Sequence, residues 1–259
     1  CRKARMSIQV APTGHSRILS VGTYRPKRVV PNSEIVERIE STDEWIQQRT
    51  GIESRRFAGD DETVISMAKA ACEMALQRAK LTIADIDTVI LATISYPFQA
   101  PSASTELINE LGNPKAAAFD ISAACAGFCY GVAMGSDLVR SGTSRNVLVI
   151  GVEKLSDYTD PDDRATAFIF ADGAGAVIIG QSDQPRIGQT IWGSDADSRD
   201  AITLTPSFLD YKNNPDKGVG ELGWPNISQQ GQVVFRWAVY SMSKVGLKAL
   251  EVAGVTVDE

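Results

Sequence analysis

Short, continuous apolar runs alternate with longer segments of helical periodicity in this chain, and this alternation restricts its fold more than any other feature. The runs TVILAT at 88–93 and NVLVIGV at 146–152 lack regularly alternating polar positions. Such runs are typical of strands that are covered on both faces of a sheet. Helices are predicted over Thr63–Ala79, Ser102–Leu111 and Cys125–Ser141. Strands that alternate with helices predict an α/β fold with a mainly parallel sheet.

Turn and capping residues predict the remaining elements. Thr42 precedes two acidic residues and is a typical N-cap, so a helix begins there. An Asp-Gly pair at 172–173 predicts the turn of a hairpin between strands at 168–170 and 176–179. The segment 195–230 is punctuated by Pro and Gly, which predicts a long irregular loop of the kind used as a lid. Further predictions are strands at Ile18–Val21 and Ala116–Ile121 and helices at Ser33–Ile39 and Arg236–Val252.

A short internal repeat bears on domain organisation. The segment ALQRAKLTIAD at 75–85 matches ALEVAGVTVDE at 249–259 at four identical positions. One interpretation is a duplicated fold whose second half stops before its first central strand; the other is an ordinary helix end followed by a turn. On the first interpretation, residues 1–16 are a basic leader and 17–185 a first half that holds the nucleophile. Residues 186–259 are then an insertion or lid region and the start of a second half.

Charge and cysteine content exclude several classes of protein. The 26 Lys and Arg residues are outnumbered by 32 Asp and Glu residues, for a net charge of −6, which argues against a nucleic-acid partner. No apolar run reaches the roughly 18–20 residues that a membrane span needs. Four cysteines in 259 residues do not form a secreted disulfide framework. We therefore expect a soluble cytoplasmic protein.

Cys125 is the strongest candidate for a catalytic residue. It stands among small residues between a predicted strand and a predicted helix, so a substrate could approach its sulfur closely. Unpaired N–H groups and the positive end of the helix dipole stabilise a thiolate at such a position. The alternative is a small buried apolar residue, which is the common fate of a free cysteine. Cys129 lies one turn along the helix without a second Cys/His pair, so a zinc site is not expected, and Cys72 is predicted to lie in the core.

A second candidate site combines an aromatic side chain with arginines. Trp45 and Arg49 are four residues apart on a predicted helix and therefore share one face. With Arg55, Arg56 and Arg164 they could hold an adenine ring and phosphates by stacking and charge-assisted hydrogen bonds. Ordinary surface arginines on an exposed helix explain the same pattern equally well.

Three further patterns carry less weight. His15 is the only histidine, and its Pro- and Gly-containing surroundings predict a flexible surface position rather than a catalytic base. Gly173-Ala174-Gly175 opens no helix and is rejected as a dinucleotide-binding loop. The acidic cluster at 157–163 lacks the spacing of a calcium loop and is expected to cap and solvate its own loop.

Four segments together resemble beta-ketoacyl-[acyl-carrier-protein] synthase III. They are DISAACAGF around Cys125, TDEWIQQRTGI at 42–52, DPDDR at 160–164 and FADGAGA at 170–176. The likeness runs from about residue 17 to residue 259. It implies a thiolase-like layered α-β-α-β-α fold with mainly parallel mixed sheets, in duplicated halves of which the second is incomplete in this chain.

The resemblance also implies a reaction and roles for particular residues. Cys125 would accept an acyl primer from acyl-CoA, which is a substrate and not a cofactor, and the thioester would then condense with malonyl-[acyl-carrier-protein], releasing carbon dioxide. The enzyme would be a homodimer without a cofactor or a metal. Matching positions imply that Trp45, Arg49, Arg164 and Ser41 bind CoA, that Ala100 and Phe235 line the acyl channel, and that Arg236 docks the carrier protein. The small side chain of Ala100 predicts tolerance of primers longer than acetyl.

This chain departs from the family pattern in one respect. The family's catalytic His and Asn would lie after Glu259, so the polypeptide as given is expected to be acylated at Cys125 without condensing malonyl-[acyl-carrier-protein]. Two alternatives stay open. One is a related CoA-dependent acyltransferase or condensing enzyme of secondary metabolism, and the other is a truncated, non-catalytic protein that binds CoA or a carrier protein.

Overall fold

A five-stranded mixed sheet forms the centre of the protein in a computed structural model that describes residues 13–258. Its strands are β1 (His15–Tyr24), β4 (Thr88–Ala92), β5 (Ala117–Ile121), β6 (Asn146–Lys154) and β7 (Asp172–Ser182), in the order β1-β7-β6-β4-β5. Strand β4 pairs in parallel with β5 and β6, whereas β7 pairs antiparallel with β6 and β1. A separate two-stranded sheet joins β2 (Arg28–Pro31) to β3 (Ser54–Phe57). The predicted α/β fold is therefore confirmed, with a sheet that is mixed.

Helices cover both faces of the central sheet. Buried side chains of α3 (Val64–Ala79) and α4 (Ala103–Leu111) pack with Val89 and Leu91 of β4. The intervening residue, Ile90, packs in a second cluster with Val139 of α5 (Gly127–Arg140). Successive residues of a strand point to opposite faces, so two covered faces require an unbroken apolar run. This is why the runs at 88–93 and 146–152 identified strands correctly.

The predicted helix starts are set by side-chain caps. The hydroxyl of Thr42 accepts a hydrogen bond from the N–H of Trp45 at the start of α2 (Asp43–Thr50). Thr63 and Ser66 form a reciprocal capping box on α3. Ser102 accepts from the Thr105 N–H on α4. Each bond satisfies a backbone donor that the first turn of a helix leaves unpaired.

The predicted hairpin at 168–179 is wrong. Residues 164–169 form turns, and β7 is one continuous strand of 11 residues that begins at Asp172. Asp172 and Gly173 pair with Lys154 and Glu153 of β6, so the ladder extends through the expected turn. Pairing with β1 on one side and β6 on the other outweighs the local turn preference of Asp-Gly. Gly173-Ala174-Gly175 consequently lies inside a strand and not in a hairpin.

The segment 195–230 is more regular than predicted. It contains α6 (Phe208–Asn213) and α7 (Gly218–Leu222), together with an antiparallel pair of strands, β8 (Ile202–Thr205) and β9 (Asn226–Gln229). It leads into α8 (Gly231–Ala253), a helix that begins five residues before the predicted Arg236 and has no buried residue. The remaining helix, α1 (Asn32–Ile35), is shorter than the predicted 33–39.

The amino-terminal end of the described chain belongs to the sheet. β1 begins at His15, which pairs with Ser182, so the predicted leader boundary after residue 16 falls inside a strand. His15 is exposed but held in this ladder, and the expectation of a flexible position is corrected accordingly. Residues 1–12, with most of the predicted leader, lie outside the described residues. Across residues 13–258 we find no helix with the length and apolar character to cross a bilayer.

Candidate active site

Cys125 lies directly before the helix on which it was predicted. Residues Ala124–Ala126 form a single 3-10 turn, and α5 begins at Gly127. Cys125 is exposed, which excludes the alternative of a small buried core residue. The N–H groups of Ala126 and Gly127 donate to the carbonyl oxygens of Ala123 and Ala124 within this turn. No side chain caps the first turn of α5, so Cys125 lies beside the uncapped, positive end of the helix dipole.

The backbone around Cys125 is unusual in two ways. Ala124 has a φ of 44°, in the left-handed region that non-glycine residues avoid at a cost of about 1–3 kcal/mol. Gly127 lies so close to β4 that an added Cβ would be 2.9 Å from the Ala92 Cβ. Strained residues of this kind are concentrated at functional sites. A tight turn packed against the end of β4 therefore presents Cys125 at the surface.

Cys125 opens into a cleft of about 630 Å³. The ends of β4 and β6 and the start of β7 form its floor, through residues that include Ala92, Gly151 and Asp172. β8 and β9 form another wall, where Leu204 and Ile227 line the cleft. The lining is mostly apolar, as is usual for sites that bind small organic groups. The segment predicted to be a lid thus does line the cleft that holds Cys125.

Glu153 is a residue of this cleft that the sequence did not reveal. Its carboxylate accepts hydrogen bonds from the Ile94 N–H at 3.0 Å and the Ser95 hydroxyl at 2.5 Å. Burial raises the pKa of Glu153 above its ordinary value, although these hydrogen bonds act in the opposite direction. Its position directly after a predicted strand was the available signal, because sites in α/β folds form at the carboxyl ends of parallel strands.

Asp172 fixes three segments at the far side of the cleft. Its carboxylate accepts from the Ala58 N–H, the Ser156 N–H and the Ser156 hydroxyl, at 2.6–2.8 Å. The side chain is buried, and all three donors are satisfied. These contacts give Asp172 a structural role in shaping the cleft.

The structure brings Trp45, Arg49 and Arg164 together. The Cζ atom of Arg49 lies 5.4 Å from the indole centroid of Trp45, and that of Arg164 lies 5.2 Å from it. Both distances are within the range of cation–π interactions. Both guanidinium groups are exposed. This arrangement, which we call the Trp45 platform, offers an aromatic face and two cations to a planar, anionic ligand.

A small apolar cluster supports the Trp45 platform. The ring of Phe168 meets Trp45 edge-on with centroids 5.5 Å apart, above the buried side chains of Ile39 and Ile46. Ser41 directly precedes Thr42, the N-cap of α2, and its buried hydroxyl has no hydrogen-bond partner among the described residues. Arg55 is buried beneath and donates to the carbonyl oxygens of Val30 and Phe168 and to Asn32, so it is not free to clamp a ligand.

Three other predicted site residues lie apart from the lining of the Cys125 cleft. Ala100 is exposed in the loop before α4. Phe235 and Arg236 lie on α8, and Phe235 is 70% exposed. Within residues 13–258 there is no cluster of three or more His, Cys, Asp or Glu side chains that could hold a metal ion.

Comparison with known proteins identifies the family. A family model described as 3-oxoacyl-[acyl-carrier-protein (ACP)] synthase III matches residues 119–196. The beta-ketoacyl-[acyl-carrier-protein] synthase III of Streptomyces glaucescens is 50% identical over 241 residues, which cover 93% of this chain and 71% of that protein. The chain belongs to the beta-ketoacyl-[acyl-carrier-protein] synthase III family.

Two further comparisons support this family assignment. Beta-ketoacyl-[acyl-carrier-protein] synthase III 1 of Streptomyces coelicolor is 49% identical, over 95% of this chain and 73% of that protein. The crystal structure of the priming beta-ketosynthase from the R1128 polyketide biosynthetic pathway matches with a TM-score of 0.93 and 42% identity. This match covers 98% of this chain and 74% of the chain in the crystal structure. The fold is therefore that of this family of condensing enzymes, as the resemblance implied.

Proposed function

We propose that this protein functions in type II fatty acid synthesis, where Cys125 accepts an acyl primer from acyl-CoA for condensation with malonyl-[acyl-carrier-protein]. The observation that carries the proposal is the exposed Cys125 in a mostly apolar cleft, in a chain that is 50% identical to a named synthase III. A nucleophilic thiol beside an apolar cleft suits a substrate with a thioester at one end and a hydrocarbon chain.

The first transfer exchanges one thioester for another. The Cys125 sulfur loses its proton and attacks the thioester carbonyl of acyl-CoA. A bond forms between the Cys125 Sγ and the acyl carbon, the bond from that carbon to the CoA sulfur breaks, and CoA leaves as the free thiol. The start of α5 supports this step, because the positive end of the helix dipole stabilises the sulfur anion.

We assign binding of the CoA nucleotide to the Trp45 platform. An adenine ring would stack on Trp45, and the exposed guanidinium groups of Arg49 and Arg164 would pair with phosphate oxygens. Ser41, directly before the N-cap of α2, adds a hydroxyl without a partner in the described chain. Acyl-CoA is a substrate here, and the proposal includes no cofactor and no metal.

In the second transfer the malonyl group loses carbon dioxide, and the resulting carbanion attacks the carbonyl carbon of the acyl–Cys125 thioester. A carbon–carbon bond forms, the bond from that carbon to the Cys125 Sγ breaks, and the 3-oxoacyl product leaves with Cys125 released as a thiolate. Arg236, exposed on α8, is proposed to dock the acidic carrier protein, and Phe235 and Ala100 to line the acyl channel. A local cation is needed for an acidic partner because the chain itself has a net charge of −6. A cytoplasmic homodimer completes the proposal.

Intact-mass spectrometry tests the first transfer. After incubation with acyl-CoA, the protein should gain the mass of one acyl group, and Cys125→Ala should not. Cys129→Ala is the matched control, since Cys129 is an exposed cysteine nearby on α5. This variant should be acylated like the unaltered protein. Binding of CoA without any acylation of Cys125 would instead favour a non-catalytic binding protein.

A second candidate function is the priming of another carbon chain outside fatty acid synthesis. The R1128 priming beta-ketosynthase supports it, with a TM-score of 0.93. Acylation by short, branched and longer acyl-CoA thioesters, each followed by condensation with carrier proteins of different pathways, separates the two candidates.

A further inference from the structure

Arg38 and Asp162 form a two-point ion pair between distant parts of the chain. The Nε of Arg38 donates to Oδ1 of Asp162 at 2.8 Å, and Nη2 donates to Oδ2 at 2.9 Å. The planar guanidinium matches the carboxylate with both bonds, which fixes the relative orientation of the two groups. Their hydrogen bonding lowers the pKa of Asp162, so the pair is charged at neutral pH.

The two residues belong to the two segments that build the Trp45 platform. Arg38 follows α1 in the stretch that leads into α2, which carries Trp45 and Arg49. Asp162 lies two residues before Arg164 in the loop between β6 and β7. The ion pair therefore connects the segment that supplies the ring to the segment that supplies the second guanidinium.

The loop around Arg164 is also held by its own acidic residues. Two contacts to other segments add to this: the Gln229 side chain donates to the Ala165 carbonyl oxygen at 2.6 Å, and the Phe168 ring meets Trp45. Asp160 accepts from the Asp162 N–H at 2.9 Å, and Asp163 accepts from the Ala165 N–H and the Thr166 hydroxyl. These contacts agree with the prediction that the acidic cluster caps its own loop for Asp160 and Asp163, whereas Asp162 pairs with Arg38 and Asp157 with Lys154. The contacts of Asp160 and Asp163 fix the local shape of the turn but do not attach it to α2. Asp162 alone among the three carboxylates reaches across to the other segment.

We propose that Arg38 and Asp162 are positioning residues that hold Arg164 over Trp45, so that the platform is formed before the nucleotide arrives. The inference rests on the proposed binding of the CoA nucleotide at this platform. Neither residue needs to touch the ligand, because the effect passes through the placement of the loop. Preorganising a site in this way increases affinity by reducing the ordering cost of binding.

The variant Asp162→Asn distinguishes two explanations, because they predict opposite changes in nucleotide affinity. If Asp162 acted only through its charge, Asp162→Asn would strengthen the binding of an anionic nucleotide, since a repulsive carboxylate would be lost. If the pair positions the loop, the same change weakens binding. Exposed ion pairs are worth up to about 1 kcal/mol, so we expect a loss of about threefold to fivefold in affinity.

Isothermal titration calorimetry with CoA, adenosine 3′,5′-bisphosphate and phosphopantetheine tests the proposal on the whole chain. Arg38→Ala and Asp162→Asn should each weaken the binding of CoA and adenosine 3′,5′-bisphosphate and leave the binding of phosphopantetheine unchanged. A general loss of folding would weaken the binding of all three. The double variant Arg38→Ala, Asp162→Asn should bind no more weakly than either single variant, because one interaction is lost in all three. Asp61→Asn is the control, since it breaks an exposed pair with Lys27 and removes the same charge.

The outcomes separate this inference from the proposed function. Unchanged or tighter nucleotide binding by Asp162→Asn overturns the positioning role while leaving the Trp45 platform intact. Additive losses in the double variant overturn it as well, because Arg38 would then act independently of Asp162. No binding of adenosine 3′,5′-bisphosphate by the unaltered protein overturns the assignment of the nucleotide site itself, and with it this inference.

Discussion

The guanidinium of Arg164 lies over the indole ring of Trp45, with its Cζ atom 5.2 Å from the ring centroid. The two residues come from different segments, α2 and the loop before β7. Arg49 approaches the same ring from the next turn of α2. These three side chains, which are far apart or unremarkable in the sequence, form the Trp45 platform to which we assign the CoA nucleotide.

Trp45→Ala should weaken the binding of CoA about tenfold. Loss of ring stacking removes roughly 1–3 kcal/mol of binding free energy per base. The two arginines also lose the aromatic face that orients them. Equilibrium titration with CoA measures the change. Trp192→Ala is the control, because Trp192 is exposed and packs on Tyr130 away from the platform. Equal losses in the two variants would contradict the assignment.

The three described cysteines should differ in their reaction with iodoacetamide. Cys125 and Cys129 are exposed and should be alkylated in the folded protein, whereas Cys72 is fully buried and its pKa is strongly raised by burial. Only the thiolate reacts, so Cys72 should react only after unfolding. Peptide mapping reads each site separately.

Prior incubation with acyl-CoA sharpens that experiment. Formation of an acyl–Cys125 thioester should protect Cys125 and leave Cys129 reactive. Protection of Cys129 to the same degree would indicate general shielding of the region by the ligand and would argue against a covalent intermediate.

Glu153 should make stability depend on pH. Because its folded-state pKa is raised from 4.5, it contributes stability at pH values below about 4.5 that is lost as the pH rises through the folded pKa. Glu153→Gln has no such titration. The free energy of unfolding of the unaltered protein should therefore fall relative to that of Glu153→Gln as the pH rises from 4.5. Urea unfolding at several pH values measures this difference.

The matched control for this pH series is Glu73→Gln, because Glu73 is exposed on α3. It removes one surface carboxylate, so a pH dependence shared by both variants is not due to the burial of Glu153. The same pH dependence in the two variants would contradict the effect of burial on Glu153.

Gly22→Ala should destabilise the protein by about 3 kcal/mol. An added Cβ would lie 2.0 Å from the Ala71 carbonyl oxygen and 2.5 Å from the Ala75 nitrogen, both in the backbone of α3. Backbone atoms cannot turn aside as a flexible side chain can, so β1 or α3 must shift. Gly175→Ala, in the paired strand β7, is the control, since its added Cβ would meet no atom within 4 Å. Urea unfolding of both variants gives the comparison.

Ala100 should permit primers longer than acetyl. A methyl side chain occupies little of the acyl channel to which we assign it, so medium-chain acyl-CoA should acylate Cys125 at rates similar to acetyl-CoA. Ala100→Phe should shift the preference towards acetyl-CoA by filling that space. Competition between the thioesters, read by intact mass, measures the preference. A strict preference of the unaltered protein for acetyl-CoA would contradict the role of Ala100.

Local sequence determined the central strands, the capped helix starts and the choice of Cys125 as the candidate nucleophile. β4 and β6 are covered on both faces, which requires a continuous apolar run, and that run is contained within each strand. Thr42 and Thr63 cap helices through bonds that reach only three residues along the chain. Small residues around Cys125 likewise mark an accessible thiol within one short motif. These features were predictable because the interacting groups are neighbours in sequence.

Tertiary structure decided the rest, because the decisive partners are far apart in the chain. Asp172 and Gly173 extend a strand only because β6 supplies a ladder for them. Glu153 becomes a half-buried acceptor because the segment after β4 places Ile94 and Ser95 beside it. Arg38 finds Asp162 only once α1 and the loop before β7 are packed together. A hydrogen bond between distant segments depends on the path of the whole chain, and no local pattern encodes that path.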